Sequence, residues 1–207
     1  MSGTGKIKKN VEDVYLESLF EAIWRVKDCY IYEVLKEKFA CVERTFTYEV
    51  YHQWRDVLIK SGFENVRIDA EIPKGFEDGK CFPDMVLHGG QGNLKDNFIA
   101  CEFKRTEGLR EEQIVGDLEK LQRYVDPESE VSISDDWTPF HYGVFILIFH
   151  NTEGKCVQEE LCNRLLSLSE DIRENIPNQD KIICCISDGT ALYYERLDKI
   201  MEKKAGG

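Results

Sequence analysis

Two carboxylates and a lysine stand on neighbouring apolar segments of this chain. Asp84 follows a proline at the start of the segment CFPDMVLH, and Glu102 and Lys104 belong to the segment NFIACEFKR. Residues two apart in a β-strand project from the same face, so we expect Glu102 and Lys104 to point the same way. If the two segments pair as a hairpin, Asp84 comes close to Glu102.

This trio predicts a metal site with hydrolytic chemistry. Two carboxylates held within a few ångströms repel each other unless a cation lies between them. Ligation by oxygen alone suits a hard ion such as Mg²⁺ or Mn²⁺. Such an ion polarises a phosphodiester and lowers the pKa of a bound water. A lysine on the same face could position that water, help to deprotonate it, or stabilise the negative charge that develops on phosphorus.

The hydrophobic pattern predicts the elements that hold these residues. Residues 11 to about 40 have helical spacing, and a second helix is expected over 44–62, where Gly62 ends it. Apolar alternation predicts a strand over 65–72, and two further strands over 81–88 and 97–105 are joined by a Gly-rich turn.

The second half of the chain alternates helices with buried strands. The predicted helices are 111–125 and 157–175, and the predicted strands are 141–150, 181–187 and 191–197. Strands mixed with crossover helices imply an α/β or α+β sheet covered on both faces. We predict an α/β fold with a mixed central sheet flanked by helices, and one domain over 1–207 with a helical extension (1–40) and a core (43–150).

The motif and its context resemble the PD-(D/E)xK nuclease superfamily, which has the restriction-endonuclease-like fold. The similar residues are the Pro-Asp of one strand and Glu-Phe-Lys at the end of the next, within roughly residues 43–149. The resemblance implies a Mg²⁺- or Mn²⁺-dependent endonuclease acting on DNA. It assigns Asp84 and Glu102 as metal-binding acids, Lys104 as the catalytic lysine and the carbonyl of Phe103 as a further metal ligand. It also implies a homodimer as the expected assembly.

The same resemblance suggests additional site residues on two helices. The family often carries another acid on its first core helix, and Glu49 is the candidate; an ordinary exposed charge is the alternative. On the helix after the motif, Gln113, Asp117, Lys120 and Tyr124 share one stripe. Lys120 and Gln113 are the candidates for contact with substrate phosphate, whereas a surface ion pair is the alternative for Asp117 and Lys120.

The central trio also has simpler structural explanations. Asp84 could bond a turn amide at the start of its strand. Glu102 and Lys104 could be solvent-facing charges of an edge strand, where charge discourages aggregation. At the level of function, the alternatives are a non-catalytic member of the same fold that binds nucleic acid or protein, and an interaction domain in which the motif is accidental.

Composition sets the broad class of the protein. A length of 207 residues, 42% of them hydrophobic and 32% charged, fits one well-cored globular domain. A formal net charge of -12 argues against nucleic-acid binding driven by overall charge. No apolar run reaches the roughly 20 residues of a membrane helix, and no secretory signal is evident, so we expect a cytoplasmic protein without membrane contact. None of the 8 cysteines has C-x2-C spacing, which favours reduced, buried thiols.

Overall fold

A computed structural model of the protein describes residues 10–31, 33–35, 38–40, 43–70, 83–89, 96–128 and 138–205. The helices within these residues are α1 (Val11–Arg25), α2 (Glu43–Lys60), α3 (Glu111–Val125), α4 (Val157–Ser167), α5 (Ser169–Asn175) and α6 (Leu197–Ala205). The strands are β1 (Glu33–Leu35), β2 (Lys38–Ala40), β3 (Val66–Ala70), β4 (Met85–Gly89), β5 (Asn97–Arg105), β6 (Tyr142–Ile148), β7 (Ile182–Ser187) and β8 (Leu192–Arg196). The alternation of helices and strands confirms the predicted α/β class.

Six of the strands form one mixed, open sheet. Their order is β3-β4-β5-β6-β7-β8. The pairs β3–β4, β4–β5 and β7–β8 are antiparallel, and β5–β6 and β6–β7 are parallel. Strand β5, which carries Glu102 and Lys104, therefore lies inside the sheet with a neighbour on each side.

Helices cover both faces of this sheet, and each face has its own hydrophobic core. On one face, α1 and α2 pack against side chains that include Ile99, Cys101 and Phe103 of β5. On the other face, α3 to α6 pack against the alternate strand residues, such as Ala100 of β5 and Phe145 of β6. This period-two separation is what a sheet buried on both sides requires.

Two helices that border the site end close to where the sequence predicts. Helix α2 ends at Lys60, two residues before the predicted stop at Gly62, whose φ of 78° is accessible to glycine, and the N–H of Phe63 bonds back to the carbonyl of Leu58 at 3.0 Å. Helix α3 spans 111–125, and its four predicted apolar residues, Ile114, Leu118, Leu121 and Val125, are buried. The free thiols of Cys101, Cys184 and Cys185 are buried, as predicted, whereas Cys29 and Cys156 are exposed and Cys162 is partly buried, so the prediction of buried thiols holds only in part.

Three local predictions are wrong. Helix α1 ends at Arg25 because Val26 adopts extended backbone angles, and β1 and β2 form an antiparallel pair where the helical spacing continued. The segment 157–175 is broken into two helices at Leu168, whose ψ is 13°. Helix α6 follows the last predicted strand. Most of the Gly-rich turn predicted between the strands 81–88 and 97–105 lies outside the described residues.

Within the described residues, we find no helix whose length and hydropathy together would allow it to span a membrane.

Candidate active site

Strand β5 extends beyond the strand that pairs with it on one side. Its pairing with β4 begins at Met85, which lies opposite Cys101, whereas its pairing with β6 continues to Arg105 opposite Ile148. Within the described residues, the stretch 102–105 therefore has one edge held by β6 and no strand paired along its other edge. Three of the predicted site residues, Glu102, Phe103 and Lys104, lie on this half-paired stretch.

Carboxylates accept the backbone donors along this open edge. The N–H of Phe103 donates to Oδ2 of Asp84 at 2.7 Å, and the N–H of Arg105 donates to Oε2 of Glu43 at 3.2 Å. Asp84 thus bonds the neighbouring strand rather than a turn amide. Within the part of the chain that the structure describes, these two carboxylates accept the β5 N–H groups that β4 does not pair, so they are held against β5 by its own backbone.

Glu102 and Lys104 point to the same face of the sheet, as predicted. Their partners across the β6 ladder, Phe145 and Leu147, belong to the core beneath α3. Phe103 points to the opposite face, where its ring lies 6.3 Å from that of Phe46 in α2. The alternative in which Glu102 and Lys104 decorate an edge strand is wrong, because β5 is internal and Glu102 is 1% exposed.

Helix α3 brings a further acid and a further lysine to this face. Asp117 is 4% exposed and contacts two ammonium groups: Nζ of Lys120 at 2.6 Å from Oδ1 and Nζ of Lys104 at 3.5 Å from Oδ2. Lys120 also lies 3.7 Å from Oε2 of Glu102. The i,i+3 ion pair expected between Asp117 and Lys120 is therefore present, but Asp117 is buried rather than at the surface, and the pair also contacts Lys104 and Glu102.

Glu102 is the most strongly perturbed carboxylate of this cluster. Burial, and after it the negative charge of Asp84, raise its pKa to about 8, and the nearby charges of Lys120 and Lys104 offset only part of this effect. Its Oε1 has no hydrogen-bond partner among the described residues. A buried carboxylate oxygen without a donor is a place where a proton or a metal cation would stabilise the charge.

Burial disfavours the charged form of both Asp84 and Lys104, and the neighbouring charges outweigh burial only for Lys104. Burial raises the pKa of Asp84, although the Phe103 N–H and the two lysines counteract it. Burial lowers the pKa of Lys104, but the charges of Asp117 and Asp84 outweigh it, and the net pKa is raised. Lys104 is therefore held as a protonated ammonium group.

Two residues suggested by the family resemblance, Glu49 and Gln113, form hydrogen bonds within or at the start of their own helices. Oε1 of Glu49 accepts a hydrogen bond from Gln53 of the same helix at 2.7 Å. Gln113 is exposed in the first turn of α3, where its Oε1 accepts the N–H of Arg110 at 3.0 Å. The contacts of Gln113 assign it a role in starting the helix, whereas Lys120 does reach the site.

The oxygen atoms of this site fit a hard divalent cation in kind. Asp84 and Glu102 supply carboxylates, and one Glu102 oxygen lacks a donor. The N–H and C=O of a strand residue point to the same edge, so the Phe103 carbonyl faces the open edge beside Asp84. Among the described residues, no group of three or more His, Cys, Asp or Glu side chains is arranged to hold a metal ion. A metal here would therefore need the backbone carbonyl and water as further ligands.

Sequence reasoning missed Glu43 and misjudged Asp117. Glu43 opens α2 and, of the acids on that helix, is the one that bonds the end of β5. Its position in the first turn was the available signal, because it places the side chain at the end of the helix that faces the sheet. Asp117 directly precedes buried Leu118, yet only the packing of α3 on β5 shows that it is buried too.

Comparisons of this chain with protein-family models, with curated proteins and with solved structures found no match. The chemistry of the site is therefore argued from the residues of this chain and their contacts.

Proposed function

We propose that this protein is a divalent-metal-dependent nuclease that hydrolyses phosphodiester bonds in DNA, with the restriction-endonuclease-like fold of the PD-(D/E)xK superfamily. The observation that carries the proposal is buried Glu102, which has an oxygen without a donor, beside the charge of Asp84 and within 3.7 Å of Lys120. A purely structural carboxylate at this depth would be expected to have both oxygens bonded.

The order of elements around the site supports the same family. Helix α2 precedes the antiparallel strands β3, β4 and β5, and α3 then leads to β6, which is parallel to β5. A helix before the first strand, the motif on a hairpin, and a helix leading to a further buried strand are the features of the resemblance. The six-stranded mixed sheet is compatible with this fold.

Asp84, Glu102 and the carbonyl of Phe103 are the proposed ligands of Mg²⁺ or Mn²⁺. When bound, the ion would supply a Lewis acid for the phosphate and lower the pKa of a water ligand. Asp84 is already fixed by its bond to the Phe103 N–H, so this ligand needs little reorientation. Lys120 balances the charge of Glu102 and lies half exposed, where it can turn towards substrate.

Lys104 acts as a fixed cation in this proposal. Asp117 lies 3.5 Å from its ammonium group and orients it, while Asp117 itself is held by Lys120. A protonated lysine donates hydrogen bonds and cannot accept a proton, so its role is to position the attacking water and to stabilise the charge of the transition state. Of the three roles that the sequence allowed for Lys104, the proposal therefore keeps two and leaves out deprotonation of the water.

A non-catalytic member of the same fold is the second candidate. The observation that favours it is the closed set of ion pairs: Lys104 and Lys120 both contact Asp117, and Lys120 also approaches Glu102. In this network the ammonium groups of both lysines have carboxylate partners in the absence of a metal or a substrate. The net charge of -12 also favours a protein that does not bind nucleic acid.

A cleavage assay on the purified protein tests the two candidates. Supercoiled plasmid, linear duplex, single-stranded DNA and RNA are incubated with Mg²⁺, Mn²⁺ or EDTA. We expect metal-dependent cutting of DNA by the wild type. The variants Asp84→Ala, Glu102→Gln and Lys104→Met should each reduce it by about 100-fold or more, because each removes a ligand or a charge that acts in the transition state.

Lys155→Ala is the matched control for the lysine variant, because Lys155 is exposed and pairs with Glu153 outside the site. It should cut as well as the wild type. Absence of cutting on every substrate, together with no metal binding by calorimetry, would favour the non-catalytic candidate. Cutting that persists in Asp84→Ala and Glu102→Gln would show that the activity comes from another site or a contaminant.

A further inference from the structure

A stripe of two tyrosines flanked by two arginines runs along helix α2 and begins beside Asp84. Arg44, Tyr48, Tyr51 and Arg55 are spaced by four, three and four residues, so they share one face of the helix. The distance from first to last is about 16 Å at 1.5 Å per residue. Arg44, Tyr48 and Arg55 are exposed, and Tyr51 is partly buried.

The stripe borders two cavities between α2 and the edge strand β3. One, of about 160 Å³, is lined by Arg44, Tyr48 and Ala70 and also by Asp84. The other, of about 580 Å³, is lined by Tyr51, Arg55 and residues 66–69 of β3. Together they mark a groove, the α2–β3 groove, that runs along the helix and opens at one end onto the proposed metal ligand Asp84.

The charges of the α2–β3 groove leave its arginines available. Arg44 and Arg55 make no ion pair with the described residues, and the Arg55 guanidinium lies 5.8 Å from the centre of the Tyr51 ring. The groove also contains acids. Asp69 is held by Arg67 at 2.7 Å and His88 at 2.8 Å, Glu43 bonds β5, and Glu64 lies at the far end.

These features select a ligand that combines phosphates with accessible aromatic faces. The protein as a whole repels a polyanion, so two arginines alone would bind a duplex weakly. A tyrosine with 56% exposure, as Tyr48 has, can stack on a base only where the base is unpaired. The 16 Å stripe matches about five nucleotides of a stacked strand at roughly 3.4 Å each.

We propose that the α2–β3 groove binds single-stranded DNA and feeds it to the Asp84 end, with Tyr48 and Tyr51 stacking on bases and Arg44 and Arg55 contacting phosphates. This inference rests on the proposed nuclease function, because it names the form of nucleic acid which that site would receive. The predicted substrate is an unpaired end or flap, and a fully paired duplex is excluded from the groove.

Binding in EDTA tests the groove without cutting. Fluorescence anisotropy is measured for a labelled single strand of about 12 nucleotides and for its duplex, with Glu102→Gln as the background protein. We expect the single strand to bind at least about tenfold tighter than the duplex. Adding Tyr48→Ala should weaken binding about tenfold, whereas Tyr48→Phe, which keeps the ring, should bind nearly as the background does.

The arginines are tested through the salt dependence of the same binding. The double substitution Arg44→Ala and Arg55→Ala should reduce the slope of log K against log salt by about 1.4, since each phosphate contact on a single strand contributes about 0.7. The matched controls are Trp24→Ala and Arg123→Ala, because both side chains are exposed outside the groove. Neither control should change affinity.

The outcomes separate this inference from the proposed function. Binding that needs Tyr48 and the two arginines, in a wild type that cuts nothing, would retain the groove and reject the nuclease. Cutting of DNA with single-strand affinity unchanged by all groove variants would retain the nuclease and overturn the groove. Preference for duplex, equal effects of Trp24→Ala and Tyr48→Ala, or no single-strand binding at all would each overturn it as well.

Discussion

At the scale of single residues, the site is dominated by one buried carboxylate. Glu102 is almost inaccessible to solvent, yet two lysines stand close enough to influence it. Because burial outweighs these lysines, the folded protein holds a proton on Glu102 more tightly than the unfolded chain does. Folding and ionisation of this residue are therefore coupled in the metal-free protein.

This coupling predicts how stability changes with pH in EDTA. The pKa of Glu102 is raised from 4.5 to about 8, so its stabilising contribution is complete below about pH 4.5 and is lost as pH rises through 8. Glu102→Gln cannot ionise and avoids that loss. We expect the variant to gain on the wild type between about pH 5 and 9, by on the order of 3 kcal/mol in the free energy of unfolding from urea titrations.

The exposed acid Glu170 on α5 provides the control for this titration. Glu170→Gln should follow the wild type at every pH, because its side chain is exposed and lies on α5, outside the site. A constant difference between Glu102→Gln and the wild type across this range would contradict the raised pKa.

At the scale of elements, the open edge of β5 explains why Asp84 has two tasks. Its carboxylate accepts the Phe103 N–H where β4 no longer pairs, and the same group faces the proposed metal. An acid that replaces a strand partner is held in place by the sheet. The position of the Asp84 carboxylate therefore depends on how far β4 pairs along β5.

Two substitutions at Asp84 should separate these tasks. In Asp84→Asn the amide oxygen still accepts the Phe103 N–H, so stability should remain close to that of the wild type. Asp84→Ala leaves that buried donor unpaired and should lower the free energy of unfolding by about 1–3 kcal/mol relative to Asp84→Asn. Urea denaturation in EDTA measures the difference, and equal stability of the two variants would contradict a structural role for this bond.

Much of the architecture could be predicted because the spacing of apolar residues along the chain indicates which side chains are buried. Helices α2 and α3 and strands β3 to β8 were predicted, since their apolar residues repeat at intervals of three to four or of two. The pair β1–β2 was not, because strands of three residues are too short to show a period that differs from that of the preceding helix. Helix α6 was not predicted; it begins at Leu197, directly after β8 ends at Arg196.

The site was predictable only as far as local spacing determines it. Glu102 and Lys104 share a face because a strand alternates, and Asp84 pairs opposite because a hairpin does so. The burial of Asp117 and the reach of Glu43 depend on how α3 and α2 dock on the sheet, which no local pattern contains. Glu49 and Gln113 were suggested by resemblance, and their observed contacts lie within their own helices or caps.

At the scale of the whole molecule, the N-terminal helix is tied to distant parts of the chain. The Tyr142 hydroxyl donates to Oδ1 of Asp13 at 2.8 Å, and the rings of Phe20 and Tyr194 stack at 3.8 Å. Trp54 of α2 donates to the hydroxyl of Ser18 at 2.8 Å. Helix α1 thus shares a core with α2 and the sheet.

Gly189, in the turn between β7 and β8, lies against the backbone of Asp28, which follows α1 in the chain. A Cβ at this position would lie 2.6 Å from the Cα of Asp28, and its φ of 81° also disfavours alanine. We expect Gly189→Ala to lower the free energy of unfolding by about 2–4 kcal/mol, through backbone strain and the clash together. Chemical denaturation measures this change.

Gly62 isolates the two contributions to that loss. Its φ is 78°, but a Cβ there would meet no atom within 4 Å. Gly62→Ala should therefore report the backbone term alone, about 1 kcal/mol. Equal losses for Gly62→Ala and Gly189→Ala would show that the contact between the turn and Asp28 contributes nothing.

The order of strands in the large sheet has a consequence for how the chain folds. Each strand from β4 to β8 pairs with the strand that precedes it in the chain, so the sheet can grow from the β3 edge to the other as the polypeptide emerges from the ribosome. Asp84 can meet β5 early in this growth. Glu102 is covered only after α3 and β6 have been synthesised, so the end of β5 that carries the proposed site is enclosed later than the strands that support it.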